Sequence, residues 1–73
     1  MEPRDASEAG VLLRIHFAER KTENGLYVEA RASFRSPTAP CTIHLITQKR
    51  HPTREAADEA IVSIARQHGW GAN

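Results

Sequence analysis

The sequence predicts an α+β domain: a three-stranded antiparallel meander followed by a single C-terminal helix packed on one sheet face. Three observations carry this. Residues 11–18, 26–35 and 41–48 alternate in side-chain character with the period of a half-buried strand, the segment after Pro52 repeats apolar residues at helical spacing, and the links between strands are too short for parallel crossovers.

In the first predicted strand, Val11, Leu13, Ile15 and Phe17 share one side, and Leu12, Arg14, His16 and Ala18 the other. The charged stretch from Glu19 to Gly25 reads as a turn closing on Asn24-Gly25, two residues that tolerate positive φ. The second strand then places Leu26, Val28, Ala30, Ala32 and Phe34 on one face, with Tyr27, Glu29, Arg31, Ser33 and Arg35 opposite. Ser36-Pro37-Thr38-Ala39-Pro40 is a turn, because two prolines fix φ and remove ladder donors. The third strand, Cys41 to Gln48, alternates Cys41, Ile43, Leu45 and Thr47 with Thr42, His44, Ile46 and Gln48.

Pro52 disfavours helical geometry at His51, so the helix begins just after it, with Thr53 as the N-cap and Glu55, Asp58 and Glu59 near the positive end of the dipole. The third position after Thr53 is Ala56, so a full capping box is absent. Ala57, Ala60, Ile61, Ile64, Ala65 and His68 form the inward stripe. Gly69 ends the helix as a left-handed C′ residue, and Trp70 in the C″ position folds back towards Ala65. Residues 1–10 carry proline, serine, glycine and mixed charge without periodicity, and read as a disordered tail ahead of one domain over 11–73.

Composition narrows the functional classes. Seventy-three residues make one domain, in which about 60% of the unfolded surface is buried and the core is thin. Cys41 is the sole cysteine, so no internal disulfide forms, and a lone thiol fits a reducing compartment. The polar N-terminus lacks the apolar run of a secretory peptide, and no stretch is long enough to span a membrane; these features predict a cytoplasmic protein. A net charge of +1, ten basic against nine acidic residues, gives no strong field to draw in nucleic acid.

One helix covers one face only, so the other is open to a partner. Arg14, His16, Tyr27, Arg31, His44 and Ile46 are the candidate binding residues there, combining cations, an aromatic ring and an exposed apolar group. The third strand contains no Lys, Asp, Glu or Pro from Cys41 to Gln48 and so lacks the features that block strand pairing, which predicts a protein partner or a homodimer through that edge unless the tail or the basic loop covers it. Lys49, Arg50 and Arg54, beside the helix start, are candidate phosphate contacts and, with the sheet arginines Arg14, Arg31 and Arg35, support an alternative reading as a weak nucleic-acid binder through the basic loop 49–54.

Catalysis finds no footing. His16, His44, His51 and His68 are scattered singly without ligand spacing, so neither a metal nor another cofactor is predicted. Cys41 and His44 differ by three positions on a strand, which puts them on opposite faces and precludes a nucleophile-base pair. The order strand, strand, strand, helix with its Thr53-Arg54-Glu55-Ala56-Ala57 opening resembles the later part of a double-stranded-RNA-binding domain, though Glu55 and Asp58 stand where that family presents lysines and its first helix is missing. The same outline is similar to HicB-type antitoxins, which implies binding to a protein partner. Neither resemblance carries site residues over, and the sequence predicts a small noncatalytic binding or regulatory module.

Overall fold

A computed structural model describes residues 1–71 and places four strands ahead of the helix where the sequence predicts three. The strands are β1 (Arg4–Glu8), β2 (Val11–Thr22), β3 (Gly25–Arg35) and β4 (Thr42–Ile46), followed by α1 (Arg54–Gln67). They form one antiparallel sheet in the order β1-β2-β3-β4, so the α+β class and the meander stand, with an added strand at the N-terminal edge.

That added strand corrects the reading of residues 1–10 as a disordered tail. A two-residue turn, Ala9-Gly10, with φ of 52° and 76°, returns the chain so that Glu8 pairs with Val11 and Arg4 with Ile15. Strand alternation then points Arg4, Ala6 and Glu8 towards α1. Arg4 makes a two-pronged bond to Asp58 at 2.6 and 2.8 Å, Arg66 bonds Glu8 at 2.7 Å, and Ala6 packs on the core between them. The spacing explains the match: four strand steps cover about 13 Å and eight helical residues about 12 Å, so charges at 4 and 8 align with charges at 58 and 66. Arg54 extends the seam by donating to the Glu2 carbonyl at 3.0 Å. Hydrogen bonding to Asp58 raises the Arg4 pKa above its ordinary value, against a smaller opposing effect of desolvation, and the Asp58 charge adds to the rise.

β2 and β3 form one long hairpin, paired from Arg14↔Ser33 to Thr22↔Gly25. The charged residues Glu19–Thr22 are therefore strand and not turn. The loop is Glu23-Asn24, and the positive φ falls on Gly25 alone, at 116°, and not on Asn24. Thr22 closes the loop, its hydroxyl accepting from the Asn24 N–H and donating to the Gly25 carbonyl. At about 3.4 Å per residue, twelve residues of β2 account for the 42 Å long axis of the molecule. The fourteen residues of α1 span only about 21 Å, half of that length. Its C-terminal turn lies by Glu8 and Val11 and its start by Phe17, where the Arg54 guanidinium stacks on the ring at 4.5 Å. The far end of the hairpin projects uncovered, which leaves Leu26 60% exposed although it shares the alternation of the buried β3 residues.

The core consists of Leu13, Ile15 and Phe17 from β2, Val28, Ala30, Ala32 and Phe34 from β3, and Ala57, Ile61, Ala65 and Trp70 from the helical segment. Alanines at 30, 32, 57 and 65 allow the helix to approach the centre of the sheet closely. Both helix ends follow the sequence reading: the Thr53 hydroxyl accepts from the Ala56 N–H, while Trp70 N–H bonds the Ala65 carbonyl and Gly69 N–H the Arg66 carbonyl, the paired bonds of a Schellman motif. Trp70 also donates its indole N–H to the Val11 carbonyl at 3.0 Å, which joins the helix end to the start of β2. His68, placed on the inward stripe by its spacing, is exposed as the C-cap, and the buried residue of this last turn is Trp70.

Candidate functional site

The open face carries the candidate residues in two adjacent cross-strand rows. In one, His16 of β2 lies opposite Arg31 of β3, which lies opposite Ile46 of β4; in the next, Arg14 and His44 lie on either side of Ser33. The structure thus gathers His16, Arg31, His44 and Ile46 across β2, β3 and β4, with Arg14 in the adjoining row on the side of β1. His16, Arg31, Ser33, His44 and Ile46 line a shallow depression of about 480 Å³. Tyr27 does not join them. It sits four residues along β3 from Arg31, opposite Arg20, with the Arg50 guanidinium over its ring at 4.9 Å.

The charges of this face are partly neutralised from within. Asp5, supplied by β1, meets Arg14 at 3.3 Å, and Glu29 meets both Arg20 at 3.3 Å and Arg31 at 3.4 Å. The Asp5 contact was not legible in the sequence, since it depends on a strand that has no hydrophobic period. The clue available was Ala9-Gly10, a turn dipeptide directly ahead of a strong alternation.

The candidate phosphate contacts are not brought together. Arg50 stacks on Tyr27, whereas Arg54 stacks on Phe17, and those two rings project from opposite faces of the sheet. Lys49 remains exposed in the loop between them. The loop has a structural role: Thr47 donates its N–H to the Ala30 carbonyl and accepts from the Ala30 N–H through its hydroxyl, and the His51 carbonyl accepts from Val28 N–H at 2.7 Å. Regular pairing would bring residue 49 opposite Val28, so two extra residues bulge outward here.

This arrangement settles the geometry of the β4 edge. The N-terminal segment pairs with β2 on the opposite side of the sheet, and the basic loop pairs with β3 beyond the end of β4, so neither covers it. Hydrogen bonds to β3 at Thr47 and at Cys41, whose carbonyl accepts from Ser36 N–H at 2.9 Å, fix the phase of the ladder. Leu45 and Ile43, in phase with those two residues, direct their backbone groups to β3, and Thr42, His44 and Ile46 direct theirs outward. The strand carries no charged side chain and no proline, and Ile46 is 42% exposed.

Among the described residues no group of three or more His, Cys, Asp or Glu side chains could hold a metal ion. His16 and His44 share the open face with β3 between them, two strand spacings across and two residues along, about 12 Å apart. Cys41 is an exposed free thiol in the turn before β4. Among these residues, too, no helix is long and apolar enough to cross a membrane. No family model, no curated protein and no solved structure gives a significant match to this chain.

Proposed function

We propose that this chain is a noncatalytic binding module that acts through the outer edge of β4 and the adjoining open face, on a protein partner or a second copy of itself. The observation that carries the reading is the β4 edge: three residues with outward-facing backbone groups, no charge, no proline, and Ile46 exposed beside them. Unpaired edge donors and acceptors form hydrogen bonds with any extended segment that approaches, and side chains on alternate positions then select among such segments.

The nucleic-acid alternative draws less support, because Arg14, Arg20 and Arg31 already face carboxylates and Arg50 and Arg54 lie on opposite sides of the sheet. Salt-reversible shifts of the Lys49 and Arg50 amides on adding short RNA or DNA would turn the reading towards it.

A photo-crosslinking residue placed at position 46, and separately at the exposed helix position 59, tests the proposal in cells. The reading requires a covalent adduct from position 46 and none from position 59. Adducts from position 59 alone, or from neither, would remove it.

A further inference from the structure

We infer that the chain pairs with a second copy through β4, the two strands running antiparallel about a two-fold axis at His44 and joining two four-stranded sheets into one of eight. This rests on the binding reading above and commits it to one occupant. The backbone phase supplies the first argument. Thr42, His44 and Ile46 each present an N–H and a C=O outward, and pairing 42 with 46, 44 with 44 and 46 with 42 satisfies all six donors of the two strands. Within Thr42–Ile46, a slip of two residues in either direction leaves only two residue pairs and four bonds, and a slip of one sets outward groups against inward ones.

The side chains agree with the same register. On the helix side, half-buried Ile43 faces Leu45 of the second copy and half-buried Leu45 faces its Ile43, so each completes its burial against an apolar partner in a closely spaced, non-hydrogen-bonded pair. On the open side, Ile46 faces Thr42 and flanks the central His44 pair. The segment Thr42-Ile43-His44-Leu45-Ile46 contains no Lys, Arg, Asp or Glu, so a second copy brings none of these charges to the contact, and the edge has a length of strand identical to its own as a complement. Pro40, which has no N–H, and the bulge after Thr47 bound the pairing at both ends. The other edge cannot do the same: β1 would set Asp5, Arg4 and Glu8 into the contact. An interface built on five residues per strand is small, so the pairing should be weak and visible only as concentration rises into the micromolar range, about where small transient interfaces form.

The test uses the full chain in a Cys41→Ser background. Directly opposed residues of a hydrogen-bonded pair have Cα atoms about 5.5 Å apart, within disulfide reach, whereas positions 42 and 42 of the two copies are more than 10 Å apart. His44→Cys should therefore crosslink to itself on mild oxidation. Thr42→Cys and Ile46→Cys should each stay uncrosslinked alone and crosslink when mixed. Sedimentation of the wild-type chain should show mass rising to that of a dimer across the micromolar range, and His44→Lys should return it to monomer with its unfolding midpoint unchanged at dilutions where the wild type is itself monomeric. A wild-type chain that stays monomeric throughout, or a Thr42→Cys variant that crosslinks to itself before the mixture does, overturns the inference. If the chain is monomeric but the crosslinker at position 46 captures a different protein, self-pairing fails and the binding reading stands; if position 46 captures nothing, both fail.

Discussion

The two edges of this sheet face the same physical problem and meet it differently. A strand at the end of a sheet presents unpaired N–H and C=O groups, and the usual protections are charge, proline, bulges or cover. β1 has three charged residues in five, two of them fastened to α1 through Asp58 and Arg66. β4 has none of these, and its protection by bulging begins only after Thr47, past the end of the strand. The difference teaches that the sheet is closed to pairing on one side and open on the other. In a chain whose net charge is only +1, that asymmetry comes from where the charges sit and not from how many there are.

The comparison breaks most sharply at Trp70, which belongs to the β1 side. Its ring is buried, its indole N–H holds Val11 at the first residue of β2, and the Arg66 guanidinium lies over it at 5.3 Å on the way to Glu8. Trp70→Ala should cost about 3–5 kcal/mol in urea unfolding. Amide exchange in the variant should accelerate first at Arg4–Glu8 and Val11, with the β3·β4 ladder affected last. Equal acceleration at both edges would show that the indole serves the whole core and is no special fastening for β1.

On the β4 side the corresponding residue is Thr47. Its hydroxyl is the partner of the Ala30 N–H at the point where the ladder gives way to the bulge, and it is buried. Thr47→Val keeps the shape and removes the acceptor, leaving a buried donor unsatisfied at a cost of about 1–3 kcal/mol. Exchange of the Ala30 amide should rise well beyond that of its neighbours. A stability unchanged within error would mean that water replaces the hydroxyl and that the bulge is more open than the burial of Thr47 indicates.

The same contrast explains what could be read from the sequence. β2, β3 and β4 bury one face each, so Leu13-Ile15-Phe17, Val28 through Phe34 and Ile43-Leu45 announce themselves by alternation, and the helix does so through Thr53, its stripe, Gly69 and Trp70. β1 does not, because only Ala6 touches the core and the remaining contacts are charge pairs to residues more than fifty positions away. Local periodicity carries no trace of such partners. The outer half of the hairpin was hidden for the related reason that Glu19–Thr22 is held by backbone pairing and polar contacts of Arg20 and Thr22, with no helix above it to select apolar residues. Five of the six binding residues fell together because they follow the alternation; Tyr27 was separated by distance along β3, which alternation does not report.

A gentler way to sharpen the comparison is the turn that starts β1. Ala9 has φ of 52°, a region that side chains with a Cβ occupy at a cost of about 1–2 kcal/mol, while the added freedom of glycine in the unfolded chain offsets about half of that. Ala9→Gly should stabilise the domain by about 0.5–1 kcal/mol and slow amide exchange within β1 without altering β4. A destabilised variant would mean that the turn is not strained at Ala9.

The smallest effect belongs to the Arg4–Asp58 pair, and it decides how β1 is held. With the Arg4 and Asp58 side chains 42% and 22% exposed, the two-pronged bond is screened by solvent, and its coupling energy in a double-mutant cycle should be about 0.5–1 kcal/mol, falling in high salt. The Arg66–Glu8 pair, with its side chains 53% and 38% exposed, should couple less. If both pairs couple at that strength, the charges of β1 act twice, anchoring the strand to the helix and keeping its outer edge unattractive to other strands. If neither pair couples measurably, β1 stays in place through its backbone ladder to β2 and the packing of Ala6, and its charges serve only to keep other chains away. In that case the triple variant Arg4→Ala, Asp5→Ala, Glu8→Ala should leave stability nearly unchanged while making the β1 edge resemble β4, and a new, concentration-dependent increase in mass would be its signature.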